Sequence, residues 1–170
     1  VANETCWGNQ PATQQTFNML AEAGITSVRI PVTWMGHIGE APDYRIEETW
    51  LNRVAEIVGY AEKAKLHAII NMHHDAGSGG WLRASTGNYE KNGDTYAKLW
   101  EQIAERFKNY DEKLLFESVN EILDEESNWN TPSADASKGL YKYLQRFVST
   151  TKSKRFLSSP KTDNSGYSVE

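Results

Sequence analysis

The chain has 170 residues, of which 39% are hydrophobic, 24% charged and 11% aromatic, and its formal net charge is −5. This composition is typical of a soluble globular protein of one domain. Because 18 basic residues are outnumbered by 23 acidic ones, the chain is not expected to bind nucleic acid or an anionic membrane, and a neutral substrate such as a sugar fits better. No apolar run approaches the roughly 18 to 20 residues of a membrane span, and no signal peptide is evident. The single cysteine, Cys6, excludes an internal disulfide.

Helix and strand signals alternate along the sequence. Apolar residues at helical spacing predict helices over about 13–23, 50–61, 96–107 and 140–148. Short β-branched or apolar runs predict strands at 27–34, 67–75, 114–121 and 155–157. The second strand is expected to be buried on both faces because its apolar run is almost continuous. Residues 76–94 are expected to form a long functional loop, and residues 158–170 a loose tail.

The predicted strands begin about 40 residues apart with one helix between each pair, which indicates right-handed βαβ units and a parallel sheet. Doubly wound sheets and (β/α)-barrels both satisfy this pattern. The barrel is favoured because no glycine-rich phosphate turn follows a strand, and because polar and aromatic residues gather at the strand ends before long loops. The sequence therefore predicts a single α/β domain of the TIM-barrel type.

The carboxyl ends of the predicted strands are rich in functional groups. Arg29 is a permanent cation in an apolar strand and needs a partner if buried, so a structural ion pair is as plausible as a catalytic role. Glu121 follows Asn120 at the mouth of the third strand, where an ionisable carboxyl beside an amide suits general acid/base chemistry.

The second strand ends in His73, His74 and Asp75. Adjacent strand residues point to opposite faces, so only one histidine is expected to face the barrel axis unless the strand is already turning. A divalent metal site is a weak hypothesis because no third ligand lies at a recognisable spacing. Binding of sugar hydroxyls, or support of a carboxylate, fits these residues better.

Five segments together resemble the endoglucanases, or cellulases, of glycoside hydrolase family 5. They are ETCWGN (4–9), VRIPVTW (28–34), NMHHD (71–75), LWEQIAERF (99–107) and LLFESVNE (114–121). The resemblance runs from about residue 4 to residue 157. It implies a (β/α)8 barrel that hydrolyses β-1,4-glucans with retention of configuration and without a cofactor, and a protein that is secreted.

The resemblance also assigns roles to individual residues. It implies that Glu121 is the catalytic acid/base, that Asn120 holds the sugar 2-hydroxyl, and that Arg29 keeps the nucleophile ionised. The remaining implied substrate-binding residues are two histidines that line the cleft and three tryptophans that stack on sugars: His73, His74, Trp34, Trp81 and Trp129.

The family's nucleophile, a glutamate at the end of the seventh strand, has no matching segment in this sequence. Glu117 lies about 13 Å along the strand from Glu121, too far for a retaining pair, which needs about 5 to 5.5 Å. Asp75 is a secondary candidate, and Glu170 lies in the tail. The matching part corresponds to a barrel truncated to about its first helix through its fifth strand. Such a half-barrel exposes sheet edges, so self-association is predicted.

Two other functions remain open. The chain could be a non-catalytic, glucan-binding or structural half-barrel that lacks the nucleophile. It could also be a metal-dependent hydrolase that uses His73, His74 and Asp75. Three measurements distinguish these functions. Loss of hydrolysis on substitution of Glu121 supports the glucanase, binding of cello-oligosaccharides without turnover supports the half-barrel, and loss of activity to a chelator supports the metal-dependent hydrolase.

Overall fold

The computed structural model describes residues 3–128 and 133–155. Helices and strands alternate along them as α1 (Gln14–Glu22), β1 (Ser27–Ile30), α2 (Glu48–Lys63), β2 (His67–Asn71), α3 (Thr86–Arg106), β3 (Leu114–Glu117) and α4 (Ala134–Arg155). The strands form one parallel sheet in the order β1-β2-β3, with a helix between successive strands. The prediction of βαβ units is confirmed, and within the described residues the sheet is open, as expected for part of a barrel.

The two faces of the sheet differ in character. One face belongs to the apolar core shared with the helices and carries Val28, Ile30, Ala68, Ile70, Leu114 and Phe116. On the other face the register aligns Arg29, Ile69 and Leu115 in one row. Arg29 and Leu115 are exposed and Ile69 is half-buried. The prediction that the second strand is buried on both faces holds only in part, because on this second face His67 is exposed, Ile69 is half-buried and Asn71 is fully buried.

The carboxyl end of α1 and the amino end of α3 follow local capping rules. The helix α1 ends at Glu22, Gly24 just beyond it has a φ of 86°, and the backbone N–H of Ile25 donates to the Leu20 carbonyl at 3.0 Å. This is the bonding pattern that a glycine in the left-handed region permits at a helix end, and it turns the chain directly into β1. The helix α3 starts at Ser85, whose hydroxyl accepts from the Asn88 backbone N–H at 2.9 Å.

The helix α3 begins ten residues earlier than the apolar spacing predicted. Residues 86–94 belong to this helix rather than to the predicted loop, which is correspondingly shortened to about 76–85. The segment carries few apolar residues and two glycines, Gly87 and Gly93, so its sequence has no helical periodicity. Tertiary contacts stabilise it: the Tyr143 hydroxyl of α4 donates to the side-chain oxygen of Asn88 at 2.7 Å.

The helix α4 runs to Arg155, so the first residue of the predicted fourth strand is helical. The other two residues of that strand, and the predicted tail at 158–170, lie outside the described residues. Within the described part of the chain, no helix has both the length and the apolar character that crossing a membrane requires.

Candidate active site

Backbone hydrogen bonds continue the alignment of the sheet beyond the strands themselves. The His73 N–H donates to the Val32 carbonyl at 2.8 Å, and the Asn120 N–H donates to the Met72 carbonyl at 2.9 Å. The segments that follow the three strands therefore lie side by side. This is the end of a parallel barrel at which functional side chains converge.

Arg29 binds two side chains, one from the last residue of β3 and one from the segment that follows it. Its Nε and Nη2 atoms donate to the two carboxylate oxygens of Glu117, each at 2.7 Å, and Nη2 also donates to Oδ1 of Asn120 at 2.8 Å. The hydrogen bonds from Arg29 lower the pKa of Glu117, although partial burial opposes the shift. The pair is therefore charged at neutral pH, and Asn120 is held with its amide nitrogen directed away from the guanidinium.

Glu121 lies immediately after this cluster with an unusual backbone conformation. Its φ is 38°, in the left-handed region that residues other than glycine seldom adopt. The side chain is exposed, and within residues 3–128 and 133–155 its carboxylate accepts no hydrogen bond. Its charge acts on Arg29 and on His73. A strained backbone that presents an unengaged carboxyl group is a feature found at functional sites.

Both histidines line one cleft, which has a volume of about 620 Å³ and is also lined by Arg29. Their ring centroids are 4.7 Å apart in an edge-on arrangement. Only one of the two histidines was expected to face the barrel axis, because adjacent residues of a strand point to opposite faces. That expectation does not apply here, because β2 ends at Asn71, before either histidine. The Thr33 hydroxyl lies 2.9 Å from Nδ1 of His74, and the Asn71 amide nitrogen lies 3.2 Å from Nδ1 of His73.

Burial lowers the pKa of His73, and the neighbouring His74 and Arg29 lower it further. A largely neutral imidazole is therefore expected beside Glu121 at neutral pH. Among the residues that the structure describes, no three histidine, cysteine, aspartate or glutamate side chains come together in a way that could hold a metal ion.

Asp75 is a structural anchor and not a substitute nucleophile. The residue is fully buried, and its two carboxylate oxygens accept from the Trp34 backbone N–H at 2.8 Å and from the Trp81 indole N–H at 2.9 Å. Burial raises the pKa of Asp75, although these hydrogen bonds favour the charged form. Because both oxygens are engaged and shielded from solvent, the carboxylate cannot reach a sugar.

The three predicted stacking tryptophans have different environments. Trp34 has 0% exposure and its indole N–H donates to the Asn71 carbonyl at 3.0 Å, so the prediction that it stacks on a sugar is wrong. Trp81 is half-buried, and its indole is oriented by Asp75. Its role in binding stays a prediction. Trp129, like Glu170, lies outside the described residues.

Two residues near the amino terminus were missed as site residues. Trp7 is 70% exposed and lines the cleft, and its ring centroid lies 6.4 Å from that of His74. Glu4, also in the cleft wall, forms an ion pair with Arg53 of α2. The positions of these two side chains could not be predicted from the ETCWGN segment. The segment has no helical or strand periodicity, and the contacts join residues far apart in the sequence.

The parallel βαβ array carries charged and imidazole groups at the carboxyl ends of its strands, the face at which (β/α)-barrels place their active sites. The model of the cellulase family, glycosyl hydrolase family 5, matches residues 1–155. The chain belongs to this family.

Individual relatives agree with this assignment. The chain is 40% identical over 153 residues to Endoglucanase A of Paenibacillus barcinonensis, covering 88% of this chain and 38% of the relative. It is 34% identical over 151 residues to a xyloglucan-specific endo-β-1,4-glucanase of Bacteroides ovatus, covering 88% of this chain and 30% of that protein.

Solved structures share the fold. A glycoside hydrolase family 5 enzyme from Prevotella bryantii matches with a TM-score of 0.85 and 40% identity, over 88% of this chain and 44% of that one. A broad-specificity endoglucanase from Bacteroides salanitronis matches with a TM-score of 0.83 and 48% identity, over 90% of this chain and 43% of that one. The chain thus spans less than half the length of these relatives.

Proposed function

We propose that the protein hydrolyses internal β-1,4-glucosidic bonds of cellulose or related β-glucans by a retaining mechanism, with Glu121 as the acid/base. The observation that carries the proposal is the placement of Glu121: an exposed, unengaged carboxyl group on a strained backbone, directly beside Asn120 and the Arg29 ion pair. Family membership and the names of the relatives support the substrate class.

In this mechanism Glu121 first donates its proton to the leaving glycosidic oxygen and later accepts a proton from the attacking water. Asn120 binds a hydroxyl of the reacting sugar. Because Oδ1 of Asn120 accepts from Arg29, its amide N–H groups remain to donate to a substrate oxygen. Arg29 thereby orients the amide, and its charge favours ionised carboxylates near the site.

A retaining reaction also needs a carboxylate about 5 to 5.5 Å from the acid/base to attack the anomeric carbon. No described residue is assigned this role. Both oxygens of Glu117 are bound by Arg29, and those of Asp75 are buried. The cleft histidines, His73 and His74, are proposed to contact the sugar chain, and Trp81 to lie along its path.

The test is hydrolysis of a panel of soluble polysaccharides: carboxymethyl-cellulose, lichenan, xyloglucan and mannan. Release of reducing ends from the β-glucans is expected, and NMR of the first product formed should show the β-anomer. A chelator should leave the rate unchanged. Binding of cello-oligosaccharides without turnover would instead support a glucan-binding half-barrel, and an initial α-anomer would contradict retention.

We further propose that the protein acts outside the cell, because a polymeric glucan cannot enter it. Glucan hydrolysis in the culture supernatant of producing cells, together with detection of the protein there by antibody, would support this location. Activity confined to washed, lysed cells would contradict it.

A further inference from the structure

Asn71, the last residue of β2, is a fully buried polar residue beside the candidate site. The register pairs it with Glu117, so both side chains lie on the face of the sheet that also carries Arg29. A buried amide needs hydrogen-bond partners, and those partners determine which of its two ends is the oxygen and which the nitrogen.

Two neighbours define the orientation of the Asn71 amide. The Val32 backbone N–H donates to Oδ1 at 3.2 Å. Hydrogen bonds from Arg29, and to a smaller extent one from the Asn71 side chain, lower the pKa of Glu117. Because a backbone N–H only donates and a carboxylate only accepts, the amide oxygen faces Val32 and the amide nitrogen is left to donate.

The amide nitrogen of Asn71 lies 3.2 Å from Nδ1 of His73. An amide N–H has no lone pair to offer, so Nδ1 must be the acceptor of this hydrogen bond and carries no proton. The proton of the neutral imidazole therefore lies on Nε2. A charged imidazole, which has a proton on both nitrogens, would direct one N–H against another and lose the contact.

The surroundings of His73 also favour its neutral form. Burial lowers the pKa of His73 most, and the charges of His74 and Arg29 lower it further. The carboxylates of Glu121 and Glu117 oppose this shift. Within the described part of the chain no side chain or backbone group accepts from Nε2, and the ring lines the cleft, so its one N–H is available to a ligand there.

The neighbouring His74 is held in a different way. Its Nδ1 lies 2.9 Å from the Thr33 hydroxyl, which can either donate or accept. This contact is compatible with both neutral tautomers of His74. The two adjacent histidines of the cleft therefore differ, because only the partner of His73 dictates where the proton lies.

These observations lead to one inference, whose catalytic consequence rests on the proposed function. We propose that Asn71 is a positioning residue that holds His73 as the Nε2–H tautomer, so that His73 donates a hydrogen bond to an oxygen of the glucan and does not act as a base. Proton transfer is then left to Glu121.

The first test is NMR of isotope-labelled histidine, which reports the protonation of each ring nitrogen and needs no substrate. His73 should show a bare Nδ1 and a protonated Nε2 at neutral pH, and His73→Gln identifies its signals. Asn71→Asp keeps the side-chain size and the acceptor for the Val32 N–H, but replaces the amide donor with a carboxylate oxygen. The His73 ring should therefore gain a proton on Nδ1, and its pKa should rise.

The matched control is Thr33→Val, which removes the contact to His74 and should leave the His73 signals unchanged. Identical His73 signals in the parent and in Asn71→Asp would overturn the role of Asn71. If Asn71→Asp does not fold, Asn71→Leu removes the donor without supplying an acceptor and should give a mixture of both His73 tautomers. A ring that stays entirely in the Nε2–H form in that variant would equally overturn the role.

The second test follows hydrolysis of carboxymethyl-cellulose as a function of pH. In Asn71→Asp the neutral His73 ring presents a bare Nε2 to the substrate, so kcat/KM should fall about 5- to 30-fold at a pH above the pKa of His73. Protonation of the ring restores Nε2–H, so the loss should shrink as the pH falls below that pKa. A loss of the same size at every pH would indicate a purely structural effect and overturn the proposal.

The two measurements separate this inference from the proposed function. If the parent cleaves no β-glucan while NMR shows the Nε2–H tautomer and its dependence on Asn71, the proposed function fails and the positioning of His73 stands. If the parent cleaves β-glucans while NMR places a proton on Nδ1 of His73 at neutral pH, the inference is overturned and the proposed function stands.

Discussion

Arg29 donates two parallel hydrogen bonds to Glu117, from Nε to Oε2 and from Nη2 to Oε1, each 2.7 Å long. The pair joins the first and third strands of the sheet across the second, and it fixes the guanidinium that orients Asn120. A fork-to-fork contact of this kind carries geometric specificity as well as charge. The ion pair is thus a structural contact that also shapes the proposed active site.

Glu117→Gln should disturb the orientation of Asn120. The glutamine amide offers one acceptor to Arg29 and turns a donor toward its other N–H, so the guanidinium loses its fixed position. We expect kcat/KM on a soluble β-glucan to fall by about tenfold, with little change in fold because the pair is about one-third exposed. Unchanged kinetics would show that Arg29 does not need Glu117 to orient Asn120.

The same pair predicts a pH dependence of stability. Arg29 lowers the folded-state pKa of Glu117 below the ordinary value of 4.5, so the stabilisation is present above about pH 4.5 and is lost as the pH falls through the folded pKa. The melting temperature of the parent should exceed that of Glu117→Gln at neutral pH, and the difference should disappear in acid. A difference that grows in acid would contradict this sign.

Asp75→Asn should destabilise the protein. The buried side chain accepts from two N–H donors, and an amide accepts with one atom only and directs a donor at the other N–H. The expected cost is about 1 to 3 kcal/mol, measured by urea unfolding. Asp94→Asn is the control, because that side chain is 90% exposed in a surface ion pair and its loss should cost less than about 0.5 kcal/mol.

Gly139→Ala should also destabilise the protein, through the packing of α4 against the start of α3. A Cβ at this position would lie 2.3 Å from the Ser85 carbonyl carbon, a backbone atom that cannot move aside. Gly59→Ala in α2 is the matched control, since its Cβ would meet nothing within 4 Å. The free energy of unfolding of that control should rise by about 0.5 to 1 kcal/mol, because alanine has a better helix propensity than glycine. Equal melting temperatures for the two variants would contradict the close approach.

Self-association stays a prediction. The structure adds one feature to it: Tyr141, Leu144 and Val148 are exposed on α4 at the spacing of one helix face, and Leu115 is exposed on the sheet. Light scattering of this chain should show a dimer or a larger closed assembly, and Leu144→Lys should weaken it. A stable monomer that does not aggregate would contradict the prediction.

The alternation of helices and strands could be predicted because apolar spacing and turn residues are local signals. The burial of Trp34 could not be predicted, since the carboxylate that accepts from its backbone N–H belongs to Asp75, 41 residues away. The position of the amino-terminal segment could not be predicted either, because Glu4 is bound by Arg53, which lies 49 residues away in the sequence. The early start of α3 was missed because capping and tertiary contacts, rather than apolar periodicity, stabilise its first turns.

The most direct test of the account is the rate of β-glucan hydrolysis by Glu121→Gln. The glutamine keeps the size of the side chain and removes the proton that the leaving oxygen needs, so kcat should fall by about 10²- to 10⁴-fold while the melting temperature stays unchanged. Glu126→Gln, an exposed carboxylate in the same loop, is the control and should retain full activity. A Glu121→Gln protein as active as the parent would contradict the assignment of Glu121 as the acid/base.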